Sequence, residues 1–416
     1  MKKTYIDTAM ERIAPDLILK GGNVVDVFSG RVIKADVIIK DGIICGVGSY
    51  SGENEQDVSG KYVMPGFIDS HVHIESSMTQ PSEYAKAVMP HGITTVIADP
   101  HEITNVCGED GLEFMLKSAK NIPLDVNLML PSCVPATPFE HTGANLDAKT
   151  TQKLAPKFFG IGEMMNYPGI VSGDDETLGK LCLDIIDGHA PLLSGHELDA
   201  YASAGIKTDH ECSVVEEMTE KISKGMYILL REGTLSLDVA KLIKVVTPYT
   251  LRRCAFCTDD RFVGEIVRDG SIDHCIRKAV SLGLNNIDAI IMATLNACEM
   301  YGMKNKGAIA PSYVADIVVA DDLNLSSISQ VYKNGKLVCE NGKALFECET
   351  VDNSKVTNTV HLPKISADFF KTDVKDKFDA IELIPESIIT KKVTVSYSDS
   401  LSKVCVIERH HNLGTK

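Results

Sequence analysis

Hydrophobic and polar positions divide the chain into a strand-rich block, a long alternating middle and a second strand-rich block. Near the start, "DLILKGGNVVDV" and "ADVIIKDGIICGVG" are β-rich and broken by glycines, and Asp41-Gly42 is a strong hairpin signal. The same texture returns in "ADIVVADD" and "QVYKNGKLVCENGKAL", with turns expected at Asn334-Gly335 and Asn341-Gly342. Two such blocks predict one small β-sandwich domain assembled from both flanks. A short helix is expected ahead of it, over Thr8–Ile13.

Between the blocks, apolar strand-like runs alternate with helical patterns, as in repeated βα units. Eight strands are expected: Gly66–His73, Thr94–Pro100, Val126–Pro131, Lys157–Glu163, Asp184–His189, Gly205–His210, Met226–Arg231 and Cys254–Asp259. Helical patterns lie at Glu176–Leu183, Leu237–Val246 and, most clearly, Ile287–Tyr301, where Ile287, Ile290, Ile291, Thr294, Leu295 and Cys298 recur at helical spacing. Eight βα units in a row make a (β/α)8 TIM-type barrel, whose active sites sit at the C-terminal ends of the strands. The expected organisation is α/β: residues 1–63 as the N-terminal segment and first part of the β-sandwich domain, 64–306 as the barrel, 307–346 as the second part of the β-sandwich, and 347–416 as a partial C-terminal α+β region.

The strands end in chemically related residues. His71 and His73 close the first one at positions i and i+2, which project to the same side of a strand and could hold one metal ion. A bare His-x-His is more often two unrelated surface histidines. Here it closes the buried apolar run from Val63 to Ile68 and follows a Pro65-Gly66 turn. Other strand ends answer it with Asp99-Pro100-His101-Glu102, Glu163, His189, His210-Glu211 and Asp259-Asp260. Singly, each has a plain structural reading: a polar cap for Glu163, a satisfied core imidazole for His189, a turn residue for Asp260. Together at one rim they make a candidate site, and nitrogen plus oxygen ligands suit borderline divalent ions such as Zn²⁺, Mn²⁺ or Fe²⁺.

Composition narrows the function. The 416 residues are 44% hydrophobic and 24% charged, the balance of a soluble globular protein. A net charge of −15 argues against nucleic acid or an anionic membrane as partner. No apolar stretch approaches the roughly 20 residues a membrane span needs. The N-terminal lysines are followed by no apolar core, so no signal peptide is read and the cytosol is the expected compartment. The 12 cysteines are scattered, as free thiols would be. Cys254 and Cys257 form a C-x-x-C, but in a strand positions i and i+3 face opposite ways, which disfavours a redox or zinc pair.

Seven segments carry a family resemblance: "MPGFIDSHVHIESSM", "ADPHEITNVCG", "IGEMMNYPG", "DGHAP", "TDHE", "CTDDR" and "MATLNACEMYGMKNKGAIAP". In that order, they resemble the amidohydrolase superfamily and, within it, the bacterial adenine deaminases. The resemblance implies a barrel hydrolase using two divalent metal ions per chain, Mn²⁺ first, with Fe²⁺ or Zn²⁺ as alternatives. Where most binuclear members carry a carboxylated lysine on strand four, this chain has Glu163, which would bridge the metals directly. Carried over, His71, His73, Glu163 and Asp259 would hold one metal, and Glu163, His189 and His210 the other. His196 falls past its strand end and is left out. His101 and Glu102 would act behind the ligands, near the substrate, or at a third metal position. Glu211 and Asp260 join them as neighbours, and Ser132, Arg231 and Arg261 are candidates to read the purine ring.

The implied chemistry is deamination of adenine to hypoxanthine and ammonia. Water bridging two cations has its pKa lowered from about 15.7 towards about 7, giving hydroxide that would attack C6. Asp259 would take the proton, and Asp259 or Glu163 would return one towards the purine or the leaving ammonia. The H-x-E…P-C-x-x-C signature of the other zinc deaminases is absent. Two other readings are weighed: another hydrolase of cyclic amides or amidines (cytosine deaminase, dihydroorotase or aminoacylase type), and a non-catalytic scaffold, which would have lost ligands this chain keeps. Expected partners are adenine and a second copy of the chain in a homo-oligomer such as a dimer. Adenine deaminases of this type continue well beyond the "ERH" segment. Residues 347–416 are therefore expected to be an incomplete domain, with Lys403–Glu408 a strand left unpaired along one edge.

Overall fold

At Gly66 the chain passes from one sheet into another. In the computed structural model, which describes residues 2–371, 376–385, 390–398 and 400–414, Tyr62–Pro65 is a strand of the β domain and Phe67–Val72 is the first strand of the barrel. The apolar run from Val63 to Ile68, expected as one strand, is thus split. The cause is steric: a Cβ at position 66 would lie 2.3 Å from Thr94 Oγ1. Glycine lets the chain turn against strand two, and its N–H donates to the Asp316 carbonyl at 2.9 Å.

The β domain draws on both flanks. Its nine strands form one sheet, in the order Lys343–Ala344, Lys336–Glu340, Ile328–Lys333, Ile317–Ala320, Tyr62–Pro65, Leu17–Asp26, Arg31–Lys40 and Ile43–Gly48, with Glu55–Asp57 also paired to Leu17–Asp26. The flanks meet where Tyr62–Pro65 runs antiparallel to Ile317–Ala320. A bridge between Ile43 and Val314 brings the far edge back, so the sheet folds over Leu19, Val37, Ile39, Ile317 and Val319. The hairpins form where expected. Asp41-Gly42, Asn334-Gly335 and Asn341-Gly342 all have positive φ at both positions, the mirror-type turn that suits strand twist.

Eight parallel strands line the barrel: Phe67–Val72, Ile93–Ala98, Asp125–Leu130, Gly160–Met164, Ile186–Gly188, Thr208–Asp209, Tyr227–Arg231 and Cys254–Cys257. The first five form one ladder and the last three another. A bridge from Val72 to Asp259 joins strand eight to strand one. On the other side, the Gly188 N–H donates to Thr208 Oγ1 at 3.0 Å. Strand one is buried along its whole length, as a barrel wall requires.

The helices differ more from expectation. Ile287–Tyr301 is two helices, Asn286–Met292 and Leu295–Met300, broken at Thr294, whose φ of −138° and ψ of −86° leave the helical region. The Ala293 carbonyl accepts from the Ile68 N–H of strand one at 2.9 Å, so the barrel takes an acceptor the helix would have used. Leu237–Val246 shrinks to Val239–Leu242 plus a 3₁₀ turn, and Glu176–Leu183 to Asp175–Gly179, which starts earlier because Asp174 caps it through the Thr177 N–H. The first helix is Lys2–Ala9, ahead of its expected place.

Lys377–Leu383 and Thr390–Ser396 pair as an antiparallel hairpin. Lys403–Glu408, expected as a strand, is not one: it pairs with no strand among the described residues, and Val404 and Val406 are 78% and 81% exposed. No described helix is long and apolar enough to cross a membrane.

Candidate metal centre

Each barrel strand delivers its polar residue where the ladder ends. His71 and Glu163 are still within their strands; His73, His189, His210 and Asp259 stand just past theirs. Asp259 has a φ of +58°, uncommon for a residue with a side chain. Two bonds to strand one hold it there: its N–H donates to the His71 carbonyl at 3.0 Å, and its carbonyl accepts from the His73 N–H at 3.1 Å. Such locally strained backbone, kept by its surroundings, is a feature of functional sites.

These side chains converge in the buried rim. Glu163 Oε2 lies 2.6 Å from His189 Nδ1 and 3.0 Å from His210 Nε2. Its Oε1 lies 3.5 Å from His73 Nε2. One carboxylate thus faces two groups of nitrogens. Asp259 Oδ1 is 3.2 Å from His73 Nε2 and 3.8 Å from His71 Nε2. His71–His73–Glu163, His71–His210–Asp259 and Glu163–His189–His210 each bring three potential ligand atoms within 4.8 Å of one another.

Unsatisfied donors and acceptors point to cations. His71 Nε2 and His73 Nε2 face each other at 3.2 Å. His73 Nδ1 sits 2.8 Å from the Asp99 carbonyl, which fixes it as a donor and leaves Nε2 as the nitrogen a cation would take. Neither ring nitrogen of the buried His210 makes a hydrogen bond among the described residues. Buried polar atoms are normally paired, and lone pairs converging on carboxylates are what a divalent ion would satisfy.

The electrostatics agree. Burial alone would raise the Asp259 carboxyl, but the hydrogen bond from His73 and the charges of His210 and Arg231 hold it well below the usual range. Glu163 is likewise held low against burial by His189, His101 and His210. In return, burial would lower His189, yet Glu163 and then Glu211 raise it to about 9. Without a cation the His189 imidazole carries a balancing proton.

The surrounding candidates divide. His101 Nδ1 is 3.0 Å from Glu163 Oε1, and its Nε2 is 3.1 Å from Glu102 Oε1. Glu211 approaches His210 Nε2 at 3.7 Å. Asp260 accepts from the Ser76 hydroxyl, and Ser132 donates to the Glu163 carbonyl at 2.6 Å. Arg231 bonds Glu211 and Asp259, the latter at 2.9 Å, while its Nε reaches Asp238 at 3.1 Å. Arg261 donates to the Glu232 carbonyl at 2.8 Å, within the barrel wall. His196 is exposed beside Asp199, away from the cluster. Cys254 and Cys257 are both free and buried, in different parts of the core.

Sequence reasoning named Asp99 only as a strand-end residue and passed over Glu75 and Asp187. Asp99 Oδ2 accepts from the Glu163 N–H at 2.9 Å. Glu75 Oε1 accepts from the Ile103 N–H at 3.2 Å, at the start of the helix bearing His101. Asp187 stands behind His71. Asp187 lies two positions before His189, on the same face in extended chain, which is the signal that could have found it; Glu75 sits in a 3₁₀ turn, which that rule does not reach.

The profile of the Amidohydrolase family matches residues 62–338, from the strand that enters the barrel to the strands that leave it. The chain belongs to that family of barrel hydrolases. Membership implies a divalent metal site, and the His, Glu and Asp groups at the rim are its candidate ligands. Among solved structures, an enamidase described as a member of the amidohydrolase superfamily superposes with a TM-score of 0.60 at 18% identity, covering 80% of this chain and 97% of its own. A β-aspartyl dipeptidase from Fervidobacterium islandicum gives 0.57 at 19%, covering 81% and 98%. Sequence relatives are nearer. The chain is 45% identical over 432 residues to "Adenine deaminase 2" of Desulfotalea psychrophila, and 46% over 430 residues to an adenine deaminase of Clostridium acetobutylicum, in each case with 99% of this chain and 75% of the relative covered. Within the amidohydrolases, the chain belongs to the adenine deaminases.

Proposed function

We propose that this chain hydrolyses adenine to hypoxanthine and ammonia, with His71, His73, Glu163 and Asp259 holding one divalent cation and Glu163, His189 and His210 a second. The observation that carries the reading is the convergence of those six side chains on one buried rim, in a chain that aligns over 99% of its own length with adenine deaminases. Mn²⁺ suits the mixed nitrogen and oxygen donors, as do Fe²⁺ and Zn²⁺.

Bound there, the cations would supply a water acidified from about 15.7 to about 7. The rest is the work of the chain. Glu163, with one oxygen towards each nitrogen group, sets the spacing of the centre. Asp259 keeps Oδ1 towards the site while Arg231 grips Oδ2, so its carboxylate stays ionised and aimed. As the water oxygen bonds to C6 of adenine, Asp259 Oδ1 accepts its proton. It then returns that proton to the exocyclic amine, which leaves as ammonia. Proton transfer of this kind is worth about 10² to 10⁴ in rate.

The test is metal content together with ammonia release from adenine, cytosine and guanine, with ring opening of dihydroorotate followed separately. Ammonia from adenine, scaling with about two metals per chain, is the expected result. Full activity in metal-free protein, or a preference for cytosine, would refute the reading.

A further inference from the structure

We infer that Asp187, held in place by Tyr301, is a positioning residue for His71: it receives the His71 Nδ1–H and so presents Nε2 to the metal centre. The inference rests on the proposed role of His71 as a ligand and goes beyond it in naming what sets that ligand's tautomer.

His71 is fully buried, and its Nδ1 makes no hydrogen bond among the described residues. Among the described residues the carboxylate that faces that nitrogen is Asp187, whose Oδ2 lies 3.6 Å away. Asp187 is itself fully buried on strand five. No lysine or arginine is paired with it in the described structure. Its Oδ1 accepts from the Thr208 hydroxyl at 2.8 Å and from the Tyr301 hydroxyl at 2.9 Å. The same phenol is 2.7 Å from the Ser70 carbonyl, one residue before His71. Tyr301 therefore spans the backbone beside the ligand and the carboxylate behind it.

A buried carboxylate without a cationic partner is costly unless hydrogen bonds compensate it. Thr208 supplies one, and Tyr301 shares its single phenol proton between Oδ1 and the Ser70 carbonyl; both are directed mainly at Oδ1. Oδ2 is left facing the His71 ring, and a ligating imidazole normally gives its second N–H to such an acceptor. Donation from Nδ1 leaves the Nε2 lone pair pointing at His73, Glu163 and Asp259. The opposite tautomer would put a proton where the cation should sit, and would leave Asp187 facing a second acceptor. Tyr301 thereby links the last barrel helix to the first metal ligand.

The experiment compares full-length parent, Asp187→Asn and Tyr301→Phe. One readout is the Mn²⁺ dissociation constant of metal-free protein. The other is the tautomer of His71, from ¹⁵N shifts in histidine-labelled, metal-free protein at a pH high enough for the ring to be neutral. Asp187→Asn can turn an amide N–H towards Nδ1. It should move His71 to the Nε2–H form and weaken Mn²⁺ binding about 10- to 100-fold, the range for such supporting groups. Tyr301→Phe, which keeps the carboxylate, should retain the tautomer and weaken binding by a smaller factor. An unchanged tautomer in Asp187→Asn overturns the inference, as does parent-like Mn²⁺ affinity with only a lowered melting midpoint. If the parent binds no Mn²⁺ at all, the ligand reading fails, while the tautomer comparison still decides the role of Asp187.

Discussion

Glu163 Oε2 and His189 Nδ1 stand 2.6 Å apart, a charge-assisted contact between the ends of adjacent barrel strands. The other oxygen of the same carboxylate turns towards His73 and His101. Glu163 thus reaches both nitrogen groups, one through each oxygen, and the consequences of removing its charge are specific.

Glu163→Gln keeps shape and volume but cannot hold two cations close together. Bound metal should fall from about two per chain to one or fewer, with turnover reduced at least about 10²-fold. Elemental analysis paired with circular dichroism separates the effects: a near-native spectrum with half or less of the metal is expected. Two retained metals would remove Glu163 from the bridging position.

Asp259→Asn should behave differently. Oδ1 survives as an amide oxygen that can still approach a cation, but it no longer accepts a proton. Most of the metal should stay, while kcat drops by about 10² to 10⁴. Near-normal turnover would pass the proton to another carboxylate, with Asp260 the first to examine, since it follows directly and is bonded to Ser76.

The strand ends were legible because their rules are local. Alternation along extended chain placed His71 with His73, and Asn-Gly and Asp-Gly pairs marked the hairpins. What failed depended on distant neighbours. The split at Gly66 is imposed by Thr94 on the next strand, and the helix break at Thr294 by the use of the Ala293 carbonyl in strand one. Lys403–Glu408 alternates like a strand but finds no partner among the described residues. The bond between Asp187 and Tyr301 joins positions 114 residues apart, which no spacing rule reaches.

Arg231 illustrates the same limit. Its place at a strand end suggested a purine-reading side chain, yet it is buried among Asp238, Glu211 and Asp259. Arg231→Met removes a countercharge from three buried carboxylates, of which Asp238 keeps Lys241 at 2.9 Å. Breaking a buried ion pair from one side costs about 3 to 5 kcal/mol. Chemical denaturation should show a loss of that order, with kcat lowered as Asp259 loses its grip. A stable variant with a raised KM alone would restore the substrate-reading role.

Metal loading should depend on pH with a sign set by the imidazoles. In the metal-free cluster His189 is raised to about 9, chiefly because Glu163 outweighs the effect of burial. Below that pH the ring is protonated, and a cation must displace the proton to bind. Apparent affinity should therefore rise with pH by about tenfold per unit for each proton released, levelling off above about 9 as far as His189 is concerned. The same group gives the metal-free fold the opposite trend. A pKa raised in the folded state contributes stability that is fully present below the unfolded value of about 6.5, and that contribution is lost as pH climbs through 9. Mn²⁺ titrations and thermal melts from pH 6 to 9.5 should then diverge, with metal binding tightening while the metal-free melting point loses the His189 contribution. A His189→Ala control isolates that contribution from other titrating groups. If removing the imidazole leaves both pH dependences unchanged, His189 is neither paired with Glu163 in the metal-free protein nor competing with a cation for its proton.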